Sequence, residues 1–207
     1  MIESREKLHF FLKADLMMNR GHFEYTIFQR LKLCLHPDYV VAFLRSLRCV
    51  EYYSQATGLL AHLKLLYYLN KYERISVKCG FSIAYNVFDY GLVIPHIGTI
   101  VVGGTNQIGK YAVLHTSTCI TDNPKIIGDG LYLSSGAMLT CKGNIGNNVM
   151  VAANSVVTKP INSENVLFAG MPAQFKCDKQ VWYISDEKYL SRVTQVEKLK
   201  SEMKITD

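Results

Sequence analysis

The chain has 207 residues, 49% apolar and 19% charged, enough for one sizeable core and incompatible with a wholly disordered polymer. Its 23 Lys+Arg against 17 Asp+Glu give a net charge of +6. That excess is spread without the basic runs of a nucleic-acid footprint, so a phosphorylated small molecule is the expected partner and nucleic acid is not.

Up to about Tyr72 glycine occurs only at Gly21 and Gly58, and apolar residues recur at three- and four-residue steps, first over Val40, Val41, Leu44, Leu47 and Val50, then over Leu59, Leu60, Leu63, Leu66 and Leu69. This spacing predicts amphipathic helices, with Pro37-Asp38 at a helix start and Gly58 at a break. The longest apolar stretch, Leu59 to Leu69, has about eleven residues and carries His62 and Lys64, well short of the roughly 20 needed to cross a bilayer. A helical N-terminal domain over residues 1–75 and no membrane span are expected.

From about Val77 glycine becomes frequent and a six-residue step appears. Val102, Ile108, Leu114 and Ile120 keep it; after one extra residue near Pro124, so do Ile127, Leu133, Leu139, Ile145, Val151 and Val157. A fixed step of six predicts short parallel strands joined by tight corners, three to a turn, with the aliphatic residues stacked inside. A β-sandwich would show longer alternating strands instead. The fold class is thus a parallel β-helix over residues 76–175 behind the helical front, which is expected to cap one end. Residues 176–207 form a polar tail, expected to be helical and at the other end.

Within this repeat, Gly91-Leu92-Val93-Ile94-Pro95-His96 followed by Thr99-Ile100-Val101-Val102, then Asn123-Pro124-Lys125-Ile126, then Ala153-Asn154-Ser155-Val156-Val157-Thr158-Lys159 and Ala169-Gly170-Met171-Pro172-Ala173 resemble the hexapeptide-repeat, left-handed β-helix acyltransferases of the serine acetyltransferase branch. The resemblance implies a homotrimer, acetyl-CoA lying in the groove between neighbouring subunits, direct transfer of acetyl to a hydroxyl, and no metal. The acceptor stays open between serine and a sugar hydroxyl, because short relatives of this kind acetylate sugars of surface polysaccharides. A catalytically silent scaffold is the third reading.

An alcohol attacking a thioester needs a base for its proton, and a histidine, half neutral near pH 6.5, suits that task. His96 interrupts the aliphatic column six residues before Val102 and falls on the family's catalytic histidine, so it is the predicted base. His115, nineteen residues on and about one coil away, is a possible supporting residue, as are Asp89 and Asn123. The family's orienting aspartate falls here at Phe81 or Ser82, the aspartate before the histidine is Pro95, and the Arg-His pair before Pro-Lys-Ile is Asp122-Asn123; Asp89 or a backbone carbonyl is left to steady the imidazole. A backbone N–H near Gly98 or Gly103 and Gly104 is the expected oxyanion donor. Ser135 and Ala153, eighteen residues apart, fall where the family shows small residues to the pantetheine arm. Lys142, Lys159 and Lys176 are the candidates for the cofactor phosphates. The six cysteines form no C-x-x-C pair and the start carries no cleavable secretory segment, so reduced thiols in a cytoplasmic protein are expected.

Overall fold

Local sequence sets each helix boundary in the computed structural model, which describes residues 2–206. Helix α1 (Arg5–Arg20) starts where the Ser4 side chain accepts from Lys7 N–H at 3.0 Å. Helix α2 (Ile27–Leu35) opens on a Thr26/Gln29 capping box that satisfies two otherwise orphaned donors. Asp38 caps α3 (Tyr39–Tyr53) by accepting from Val41 N–H, and α4 (Leu59–Cys79) begins after Gly58 and ends at Gly80.

Among the described residues thirteen short strands follow: β1 (Phe81–Ile83), β2 (Ile100–Val102), β3 (Gln107–Ile108), β4 (Val113–Leu114), β5 (Thr118–Ile120), β6 (Lys125–Ile127), β7 (Tyr132–Leu133), β8 (Met138–Leu139), β9 (Gly143–Ile145), β10 (Val149–Val151), β11 (Val156–Val157), β12 (Val166–Gly170) and β13 (Ala173–Asp178). They form three faces of a prism. The first face runs β1-β2-β5-β8-β11, the second β3-β6-β9 and the third β4-β7-β10-β12, all paired in parallel, with β13 antiparallel on β12 at the far end. All ten residues of the six-step column are buried, each worth about 1.5–3 kcal/mol relative to exposure, which is why the repeat dictates the coil.

Helices α3 and α4 cap the first coil: Phe43, Leu47, Tyr72, Ile75 and Cys79 share one core with Phe81 and Ile83. The tail is placed differently from expectation. After β13 the chain turns back, and α5 (Glu187–Glu202) lies against α1 instead of covering the far end. The reason is apolar: Val181, Trp182, Val193 and Val196 are buried with Phe10, Phe11 and Met18 of α1 and with Tyr90, Val93, Tyr111 and Val113 of the prism. The β12–β13 hairpin closes the far end.

A buried arginine welds helices to prism. Arg48 of α3 is 0% exposed, donating to Asp15 Oδ2 at 2.8 Å, Glu51 Oε2 at 3.0 Å and the carbonyls of Phe88 and Asp89 at 2.7 Å. Two carboxylates and two carbonyls compensate the desolvation of one guanidinium.

Candidate active site

The segment leading to His96 is held from outside by α1. Asp15 and Asn19, one turn apart, replace a neighbouring strand: Asp15 Oδ1 accepts from Gly91 and Leu92 N–H at 2.8 and 3.1 Å, while Asn19 accepts from Ile94 N–H at 3.0 Å and donates to Leu92 O at 2.8 Å. Val93 then pairs with Val113, but Ile100 pairs with Thr118, so the offset between these coils falls from 20 to 18 residues. The corner between them therefore holds two more residues than the rung beneath. That extension corrects one sequence expectation: the column residue before Val102 is Ile94, buried, and His96 stands exposed on the extended corner instead of interrupting the core. Gly98 anchors the corner, donating to Cys79 O at 2.9 Å, at φ +148°, where a Cβ would lie 2.9 Å from Thr116 Cγ2.

His115 lies on the same edge, one rung along, half-buried. Its Nε2 is 2.8 Å from Tyr132 Oη, and the two rings are 5.2 Å apart. Burial, and then the charge of His96, push the His115 imidazole below its ordinary value. Burial, and then Tyr189, push the Tyr132 phenol up. Tyr132 is backed by Trp182, ring centroids 6.1 Å apart, and Trp182 is fixed by its Nε1–H on Tyr111 O at 3.0 Å. Ser135 and Ala153 continue this edge, both exposed, with Asn154 N–H donating to Ser135 O at 2.9 Å. The structure thus lines up His96, His115, Ser135 and Ala153 along the edge between the third and first faces.

The remaining candidates lie elsewhere. Asn123 is on the opposite edge of the first face, donating to Thr140 O at 2.9 Å, and the exposed Lys142 and Lys159 share that edge. Lys176 is on β13. Asp89 does not steady His96: a whole stretch of the third face, Gly91 to Ile94, separates them, and its Oδ1 accepts from Tyr90 N–H at 2.7 Å. Two of the expected oxyanion donors are also spoken for, because Gly98 N–H serves Cys79 O and Gly103 N–H serves Ile120 O at 2.9 Å.

Sequence reasoning missed Tyr132, Trp182 and the two α1 side chains. Tyr132 sits directly before the column residue Leu133 and opposite Val113, so the repeat register could have flagged it. Nothing local marks Asp15, Asn19 or Trp182, since their roles depend on how helices dock. Also missed was Lys125, 2% exposed on the far edge, whose Nζ donates to Asn123 O at 2.5 Å, Thr121 O at 2.9 Å and Thr121 Oγ1 at 3.3 Å.

Known proteins share this fold. Over 152 residues, 68% of its length, the chain is 32% identical to Serine acetyltransferase 2 of Arabidopsis thaliana, covering 46% of that protein. A serine acetyltransferase solved in complex with CoA superposes with a TM-score of 0.56 at 22% identity, over 82% of this chain and 67% of the other. The Neisseria gonorrhoeae serine acetyltransferase solved in complex with serine gives 0.56 at 19% identity over the same shares. The chain is thus similar to the serine acetyltransferases of the hexapeptide-repeat family. It has the left-handed β-helix of that family behind four helices and spans about half the length of the curated relative. No family model matches it. Among the described residues of this serine acetyltransferase-like chain, no helix is long and apolar enough to cross a membrane, and no three His, Cys, Asp or Glu side chains converge as a metal site.

Proposed function

We propose that this protein is an acetyl-CoA-dependent O-acetyltransferase in which His96 is the general base and serine the acceptor to test first. The observation that carries the reading is the exposed imidazole on an extended corner, followed along the same edge by the small exposed residues Ser135 and Ala153. A base must be reachable by the hydroxyl it deprotonates, and a pantetheine arm needs an edge without bulky side chains. The relatives solved with CoA and with serine support both partners.

In this reading His96 takes the acceptor hydroxyl proton as oxygen attacks the thioester carbon, and returns it to the departing CoA thiolate. The protein works as a homotrimer, with acetyl-CoA between neighbouring prisms, Lys142, Lys159 or Lys176 reaching its phosphates and Asn123 supporting the site from an adjacent copy. Six free cysteines suit a reducing, cytoplasmic setting. Thiol release from acetyl-CoA in the presence of L-serine tests the reading. His96→Ala should lower it by about 10²–10⁴-fold while calorimetry still detects CoA binding. Undiminished release by that variant, or none by the wild type, overturns it.

A further inference from the structure

The pair of His115 and Tyr132 is a built side-chain device on the same edge. Burial raises the Tyr132 phenol, so at neutral pH Tyr132 carries a proton that the 2.8 Å contact lets it donate to His115 Nε2; the opposite direction needs the proton on Nε2 instead. A neutral imidazole that accepts at Nε2 carries its own proton on Nδ1. Burial, reinforced by the charge of His96, holds His115 neutral, and protonation of His96 during transfer strengthens that hold. Nδ1 has no hydrogen-bond partner among the described residues and is not sealed from solvent. With Tyr132 as the donor, the edge presents an N–H donor on the residue that interacts with the exposed His96, at a corner where Gly98 N–H is already engaged by Cys79 O.

We propose that His115 donates this N–H to the oxyanion of the tetrahedral intermediate, with Tyr132 as the positioning residue that fixes its tautomer and Trp182 as the wall behind Tyr132. The inference rests on His96 being the base of the same site. As the acceptor oxygen bonds to the thioester carbon, its proton passes to His96 and the carbonyl electron pair moves onto oxygen, where it accepts from His115 Nδ1–H. Collapse re-forms the carbonyl, breaks the C–S bond, and returns the proton from His96 to the thiolate. His115 neither gains nor loses a proton, which is what its depressed basicity favours.

Long-range proton–nitrogen NMR of the wild type and of Tyr132→Phe, combined with thiol release from acetyl-CoA and L-serine, tests the proposal. At pH 7 His115 should be neutral with its proton on Nδ1. Tyr132→Phe should raise its titration midpoint and mix the tautomers, because a donor to the neutral form is lost. His115→Ala should reduce kcat by about 10²-fold or more with CoA affinity unchanged. His115→Asn, which keeps an N–H near the Nδ1 position, should recover to within about tenfold of wild type, whereas a merely structural role would give no such rescue. A protonated His115, a proton on Nε2, or full activity in His115→Ala overturns the proposal. If His96→Ala is inactive while His115→Ala is active, the base assignment stands and this inference alone fails; a silent wild type ends both.

Discussion

The two long edges of the first face obey one repeat and carry opposite chemistry. One holds His96, His115, Ser135 and Ala153; the other holds Asn123, Lys142, Lys159 and the caged amine of Lys125. Each is distinctive where the step of six is broken: by two extra residues at Pro95–Gly98 on the first edge, and by one between Ile120 and Ile127 on the second. On the first the surplus chain swings an imidazole outward. On the second it turns carbonyls inward, and a buried ammonium satisfies them. A regular solenoid supplies stability, and interruptions in it create sites, because only a corner with surplus chain can leave the stacked register.

The difference between the edges can be broken from either side. The largest effect is expected at Arg48→Met, which leaves Asp15 and Glu51 buried without their cation and should cost about 3–5 kcal/mol in denaturant unfolding. Since Asp15 also holds the Gly91–Leu92 backbone, amide exchange should rise on the imidazole edge and stay unchanged around Lys142 and Lys159. Lys125→Met is the reciprocal experiment. It deprives the Asn123 carbonyl of its donor and leaves the Thr121 carbonyl with Asn106 Nδ2, should cost about 1–3 kcal/mol, and should leave the His115 tautomer untouched.

Gly98→Ala sharpens the comparison, placing a Cβ 2.9 Å from Thr116 Cγ2 at φ +148°. A strain of about 1–3 kcal/mol is expected, along with a drop in thiol release on the order of tenfold as His96 shifts. Adding Thr116→Ser should restore part of both, since the methyl is removed but the dihedral is not.

The smallest effect concerns the tail behind Tyr132. Burial raises the Glu197 carboxyl, but the Tyr111 hydroxyl at 2.7 Å, together with Lys110 and Tyr90, outweighs it and leaves the group below its ordinary value. A carboxyl depressed in the folded state stabilises fully above its unfolded value and loses that contribution as pH falls through the folded one. Docking of α5 should therefore weaken below about pH 4.5, by less than ~1 kcal/mol for a partly solvated group. Fluorescence of Trp182, the one tryptophan, should follow this, and Glu197→Gln should remove the pH dependence.

From sequence alone the coil was legible because a six-residue step of aliphatic side chains has one economical packing, with every column residue inside. The helix caps at Asp38 and Gly58 were legible too, since they rest on local hydrogen bonds and backbone preference. His96 was legible as a candidate because the motif that resembles the family is contiguous. Only the tertiary structure decided that His96 faces outward, that Asp89, Lys142 and Lys159 stand on other edges, that the tail returns to α1, and that Tyr132 contacts His115. Each of these depends on how a surplus residue or an apolar surface is accommodated by chain far away in sequence, and no local pattern encodes that.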